Sequence, residues 1–95
     1  MEFEWDSQKK ESNEHKHGVS FEEAETVFGD PLALIFDDEW HSGDEDRELI
    51  IGQSANGRLL IVSFTERNGM IRLISARETT SKERKDYEEN AYYKR

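Results

Sequence analysis

The sequence predicts an α+β fold: an antiparallel sheet with helices packed on one face. Three observations carry this expectation. Asn56-Gly57 and Asn68-Gly69 each separate two hydrophobic runs, and Asn-Gly between such runs signals a hairpin, because both central positions of a type I′ turn need positive φ. Ser20 with Glu23, and Thr80 with Glu83, have the spacing of a helix-opening capping box. Eleven of the twenty Leu, Ile, Val and Phe residues fall within residues 49–76, so the core is local and centred on the sheet.

Taken in order, Glu2 and Glu4 alternate with Phe3 and Trp5, which predicts a short strand with one buried face. Asp6 is the N-cap of a helix over residues 7–17 that Gly18 ends. No aliphatic or aromatic residue occurs from 6 to 17, so this helix is either solvated or kept for its polar groups. Lys9, Asn13, Lys16 and His17 can share one of its faces. The second helix opens at the Ser20 box, with Val19 stapled onto Ala24. It repeats Phe21, Ala24, Val27 and Phe28 at helical spacing and stops at Gly29-Asp30-Pro31. "LALIFDD" is a strand leading into the acidic loop "DDEWHSGDEDRE". Three strands follow, "LIIGQS", "RLLIVSFTE" and "MIRLISAR", and the Thr80 box starts a last helix through about residue 90. The expected layout is a meander of four strands plus the N-terminal strand, two N-terminal helices and one C-terminal helix. In the last strand, strict alternation places Ile71, Leu73, Ser75 and Arg77 on one face, with Arg72, Ile74 and Ala76 on the other.

Ninety-five residues make one domain, residues 1–95. The formal net charge is -9, but it is divided. Residues 1–48 hold sixteen acidic against four basic side chains, whereas residues 49–95 hold six against nine. The second half therefore can present a cationic surface. Cysteine is absent, which excludes disulfides, thiol nucleophiles and cysteine-ligated zinc. No run is long enough for a membrane span, and the acidic start is unlike a signal peptide. The expectation is a cytoplasmic protein with no membrane partner.

Several common sites find no support. His15 and His17 point about 200° apart on a helix and cannot chelate one metal. The loop around Asp44, Glu45 and Asp46 lacks the D-x-D-x-D-G order of a calcium loop, which leaves it solvated or facing a basic partner. Phosphate-binding glycine loops are missing. No metal and no cofactor is expected. The notable grouping is "ISARETTSKERKDYE", residues 74–88, where the last strand passes into the last helix. There Arg77 leaves the strand end, while Arg84, Tyr87, Glu88 and Ala91 share one helix face. Such a face is ordinarily just solvated.

The blocks "KHGVSFEEA", "TER", "ISAR" and "ER-x-x-YE", in this order and at this spacing, resemble the BrnT family of toxins from bacterial BrnT/BrnA toxin-antitoxin pairs. The resemblance runs from Phe3 to about Glu88. It implies a RelE-like small ribonuclease fold, inhibition of translation by RNA cleavage, and neutralisation by a BrnA-type antitoxin that also binds promoter DNA. Operator DNA is then a partner only through the antitoxin. RelE-like toxins that depend on the ribosome are usually basic. This chain is acidic, which points to cleavage of free RNA through a local patch.

Metal-free RNA cleavage can use the 2′-OH as nucleophile and leave a 2′,3′-cyclic phosphate. It needs a base, an acid, and cations for the pentavalent phosphorane. Arginine suits the phosphate because its planar fork donates two hydrogen bonds and keeps its charge. On that chemistry and the matching motif positions, Arg77 and Arg67 stabilise the transition state and His17 or Glu48 moves the proton. Tyr87 stacks a base or donates a proton, and Lys16, Arg84, Arg72 and Arg58 bind RNA. A different class of function stays open, a non-catalytic module that binds the antitoxin and tunes its promoter binding.

Overall fold

The computed structural model describes residues 1–39 and 46–94, with side chains to residue 90. In chain order the elements are β1 (Glu2–Glu4), α1 (Ser7–His17), α2 (Phe21–Thr26), a 3₁₀ turn (Val27–Gly29), β2 (Leu34–Asp37), β3 (Glu48–Gln53), β4 (Leu59–Arg67), β5 (Met70–Glu78) and α3 (Ser81–Lys94). The strands form one sheet in the order β1-β5-β4-β3-β2. Strands β2 to β5 are the expected antiparallel meander. β1, however, joins β5 in parallel, with Glu2 beside Met70 and Glu4 beside Arg72, so the sheet is mixed. No hairpin ties β1 to β5, and nothing local sets its direction. The acidic loop around Asp44 and Glu45 lies outside the described residues.

Helices cover both faces, not one. On the first face Val19, Phe21, Ala24 and Val27 pack onto Ile50, Leu60, Val62, Phe64, Ile71, Leu73 and Ala76. Phe28 joins them, edge-on to Phe64 at 5.0 Å and to Phe3 at 5.2 Å between ring centroids. On the second face Ile51, Leu59 and Ile61 form a smaller cluster under Leu49 and Tyr87. The cause is legible in β3 and β4: "LII" and "LLIV" are continuous apolar runs, and strands apolar on both sides need cover on both sides.

Alternation in β5 is broken once. Ser63 pairs with Ser75, but Phe64 pairs with Leu73, so Ile74 is an extra residue on β5. Ile71, Leu73 and Ala76 consequently all reach the first core. Ser75 and Arg77 take the other face, opposite Ser63 and Ile61. The expected grouping of Ile71 and Leu73 with Ser75 and Arg77 is thereby corrected: the bulge inverts the phase between Leu73 and Ser75.

The two hairpins also differ. Asn68 (φ 52°) and Gly69 (φ 79°) are both left-handed and join Arg67 to Met70 as a two-residue turn. At the first hairpin only Gly57 (φ 81°) is left-handed, and Asn56 is not. That loop is one residue longer. Ser54 N–H donates to Arg58 O at 2.8 Å and Gly57 N–H to Ser54 O at 2.9 Å, the pattern of a three-residue loop with its glycine in the left-handed position.

α1 has the expected caps, Asp6 Oδ1 accepting from Gln8 N–H at 2.8 Å and Gly18 at φ 65°. Its one buried residue is Asn13. Asn13 Nδ2 donates to Val19 O (3.0 Å) and Ala76 O (2.8 Å), while Ala76 N–H donates to Asn13 Oδ1 (3.0 Å). The side-chain amide thus pairs with β5 as a neighbouring strand would, beyond the end of β1. The polar helix is kept for this group.

Gly52 of β3 sits under the 3₁₀ turn. A Cβ there would lie 2.9 Å from Val27 Cγ1 and 3.2 Å from both Ala33 Cβ and Asp30 Oδ2. Gly52→Ala is expected to destabilise the fold by about 1–3 kcal/mol through overpacking, read as a lower urea midpoint; an unchanged midpoint would show that the turn can move aside.

Candidate functional site

α3 covers only part of the second face, through Tyr87 over Ile51, Leu59 and Ile61. The rest is an open concavity of about 780 Å³. Leu49, Ile51, Ile61, Ser63 and Ser75 line it from the sheet. Arg77, Lys82, Glu83 and Asp86 flank it on the α3 side, and Phe36, Asp38 and Arg47 on the other.

Arg77 is fixed at its rim. Its Nη1 and Nη2 donate to Glu83 Oε1 and Oε2 at 2.8 and 2.9 Å, and Nη1 also reaches Glu78 O at 3.2 Å. Glu83 is at the same time the capping residue that the sequence predicts. Its Oε1 accepts Thr80 N–H at 2.8 Å, and its own N–H donates to Thr80 Oγ1 at 3.2 Å. One carboxylate therefore starts α3 and aims the guanidinium. The Arg77 guanidinium, helped by Thr80, holds the Glu83 carboxyl below the usual carboxylate range. The hydrogen bonds that Arg77 donates to Glu83 hold the guanidinium above its ordinary value.

The other sequence-derived candidates separate into three groups. Arg67 and Arg72 share Arg77's face, since Thr65, the partner of Arg72, and Arg67 itself continue the β4 row of Ile61 and Ser63. Arg72 pairs with Glu4 at 3.6 Å. Arg67 lies six β4 residues beyond Ile61, the partner of Arg77, which is about 20 Å along the strand. Glu48 stands opposite Phe64 and so points to the first face, away from Arg77. Burial there, followed by Asp37, Glu66 and Asp46, pushes its carboxyl up. Lys16 and His17 are exposed in the last turn of α1. That helix is fastened by Asn13 to Ala76, the residue before Arg77, and His17 follows Asn13 by one helical turn.

Two candidates, Arg58 and Tyr87, are occupied elsewhere, and Arg84 faces away from the concavity. Arg58 binds Glu23 through Nε (3.0 Å) and Nη2, and donates to Gly18 O at 3.1 Å. The Glu23 side chain is only 7% exposed and also accepts from Ser54 Oγ at 2.7 Å. Arg58 is therefore a buttress between the α1–α2 junction and the first hairpin. Its hydrogen bonds hold Glu23 below the usual range. Tyr87 donates to Asp30 Oδ2 at 2.7 Å. Burial first, then Asp30, pushes the phenol up to about 12, which leaves it a poor proton donor. Arg84 is exposed; the half-buried flank of α3 is Glu83, Tyr87 and Asn90. Arg84 is not among the residues lining the concavity.

Sequence reasoning missed Phe36, Arg47, Ser63, Ser75 and Lys82 as parts of one wall, and the second role of Glu83. Cross-strand register joins Phe36, Ser63 and Ser75 through Leu49, and the place of Ser75 in that row depends on the bulge. The i, i+6 pairing of Arg77 with Glu83 carried a signal, because a strand-end arginine before a capping glutamate can meet it.

Glu23 and Glu83, held below their ordinary value of 4.5, stabilise the fold above it, and that contribution is lost as pH falls through their folded values. Glu48, held up by burial, acts in the opposite direction, losing stability as pH rises through its folded value. Thermal midpoints are expected to fall on acidification below about pH 4.5. Glu23→Gln together with Glu83→Gln is expected to flatten that dependence; an undiminished acid slope in the double variant would count against it.

The family described as "Ribonuclease toxin, BrnT, of type II toxin-antitoxin system" matches residues 5–83. That span ends at Glu83 and contains Arg77, Arg67, Glu48 and His17. The fold is similar to the crystal structure of the Brucella abortus ribonuclease toxin BrnT, with a TM-score of 0.66 and 25% identity over 85% of this chain and 99% of that one. No curated protein matches the chain in sequence.

Proposed function

Because the chain belongs to the BrnT family of ribonuclease toxins of type II toxin-antitoxin systems, we propose that it is a metal-independent endoribonuclease whose RNA site is the concavity beside Arg77. It inhibits translation by cutting RNA and is neutralised by a BrnA-type antitoxin. The observation that carries this reading is the bidentate Arg77–Glu83 pair beside the part of the sheet face that α3 leaves uncovered among the described residues. A guanidinium held by one edge is oriented in advance, so little reorganisation accompanies the arrival of a phosphate. Arg72 and Arg67 extend the same face in a line that suits a polyanion backbone.

In this reading the 2′-OH attacks the neighbouring phosphate, and the 5′ oxygen departs with a proton to leave a 2′,3′-cyclic phosphate. Arg77 binds the phosphorane. His17, on the helix fastened beside Arg77, is the acid or base, since an imidazole is the side chain suited to taking up a proton in one step and returning it in the next. Lys16 contacts the backbone. Glu48 is the less favoured base because its strand position faces the other side of the sheet. Cleavage of a defined RNA by the purified protein in chelator, with end-group analysis, is expected to give cyclic phosphate and 5′-OH ends; 5′-phosphate ends would exclude this chemistry.

One observation favours the non-catalytic alternative, in which the chain binds the antitoxin and tunes its grip on operator DNA: Arg58, Arg72 and Arg77 are each paired with a carboxylate. That reading requires no cleavage at any protein concentration, with antitoxin binding intact.

A further inference from the structure

β2 is the outermost strand on its side of the sheet and pairs only with β3 among the described residues. Ile35 is 53% exposed and Phe36 38%. Neighbouring residues of a strand project to opposite faces, so the two bracket the edge. Phe36 lies on the concavity side and Ile35 on the side of Ile50. Edge strands are ordinarily guarded by lysine, proline or a bulge. Leu34-Ile35-Phe36-Asp37 has none of these. Among the described residues this short edge carries one charge, Asp37, and an apolar side chain on each face, which is the geometry of strand addition.

Charge decides what is added. Asp37 and Glu39 are exposed next to the apolar pair, and Asp37 stands opposite Glu48. Asp37, Glu66 and Asp46 are near enough to disfavour a charge on Glu48. This end of β2 repels a nucleic acid and attracts Lys and Arg. We propose that the outer edge of β2 is the docking strand for a basic, extended segment of a partner protein, which adds as a sixth strand with alternate apolar residues on Ile35 and Phe36. Because Phe36 also lines the concavity, an occupant there narrows it; this consequence rests on the RNA-site reading above, whereas the docking itself does not.

Calorimetric titration of the intact protein with an eight-residue peptide of alternating lysine and valine tests the proposal. The alternating peptide is expected to bind, a block peptide of the same composition to bind at least tenfold more weakly, and an alternating glutamate-valine peptide not to bind. Ile35→Lys, at an exposed position outside the concavity, is expected to weaken the alternating peptide at least tenfold with an unchanged melting temperature and unchanged RNA cleavage. Equal affinity for the block peptide, or for the Ile35→Lys protein, overturns the docking proposal. If the peptide binds and cleavage is not slowed, the narrowing is wrong and the docking stands. If the protein alone cuts no RNA, the ribonuclease reading fails, and the titration still decides the docking.

Discussion

An Arg77→Ala protein is expected to fold and to cut RNA about 10²- to 10³-fold more slowly than the parent, the usual loss when one preorganised donor to a developing negative charge is removed. The fold should survive because the Arg77 side chain is 42% exposed and surface ion pairs contribute only about 0–1 kcal/mol. Glu83 retains its reciprocal bonds with Thr80, so α3 still has its cap. Arg77→Lys keeps the charge but not the planar fork and should recover only part of the rate. Initial rates on a defined RNA, with circular dichroism as the check on folding, decide the matter. Parental rates in the alanine variant would remove Arg77 from the reaction.

The largest expected effect on stability lies at Asn13. Asn13→Ala removes three buried hydrogen bonds and strands Val19 O, Ala76 O and Ala76 N–H at the sheet edge. Buried groups left without partners cost about 1–3 kcal/mol each. With partial access of water, roughly 3–5 kcal/mol overall is expected for the variant. That is a large share of the stability of a domain this size. α1 has no apolar stripe to hold it in place once this amide is gone. Urea unfolding measures the loss. A shift below about 1 kcal/mol would mean that other contacts seat the helix.

Local chemistry was readable in the sequence. The Thr80/Glu83 capping box, the Ser20 N-cap, the αL stop at Gly18, the Asn68-Gly69 turn and the strand-rich centre depend on residues within a few positions of one another, and the structure has them all, although the Glu23 carboxylate is turned to Arg58 and Ser54. What escaped depends on long-range geometry. The direction of β1 is set across the length of the chain, and the cover on the second face follows from packing and not from any turn. For the candidate site, residue types were readable but their grouping was not. Arg77 and Glu48 both sit in strands, yet register sends them to opposite faces. Arg58 and Tyr87 have the chemistry of a site, but Glu23 and Asp30 engage them in holding elements together. No local pattern announces a carboxylate 35 or 57 residues away.

The extra residue at Ile74 makes the phase of β5 a functional quantity separate from its composition. Shortening the strand by one residue between Leu73 and Ala76 would leave a ladder that pairs without interruption and a sequence almost as hydrophobic. It would leave Arg77 opposite Ile61 on the concavity side and Ala76 in the first core, because the residue removed is the one that the bulge already discounts. Substitutions in this stretch are graded by size and polarity. Loss of the bulge with no loss of a residue is all or nothing, because unbroken alternation from Leu73 would bring the guanidinium out on the side of the protein that Ala76 now faces.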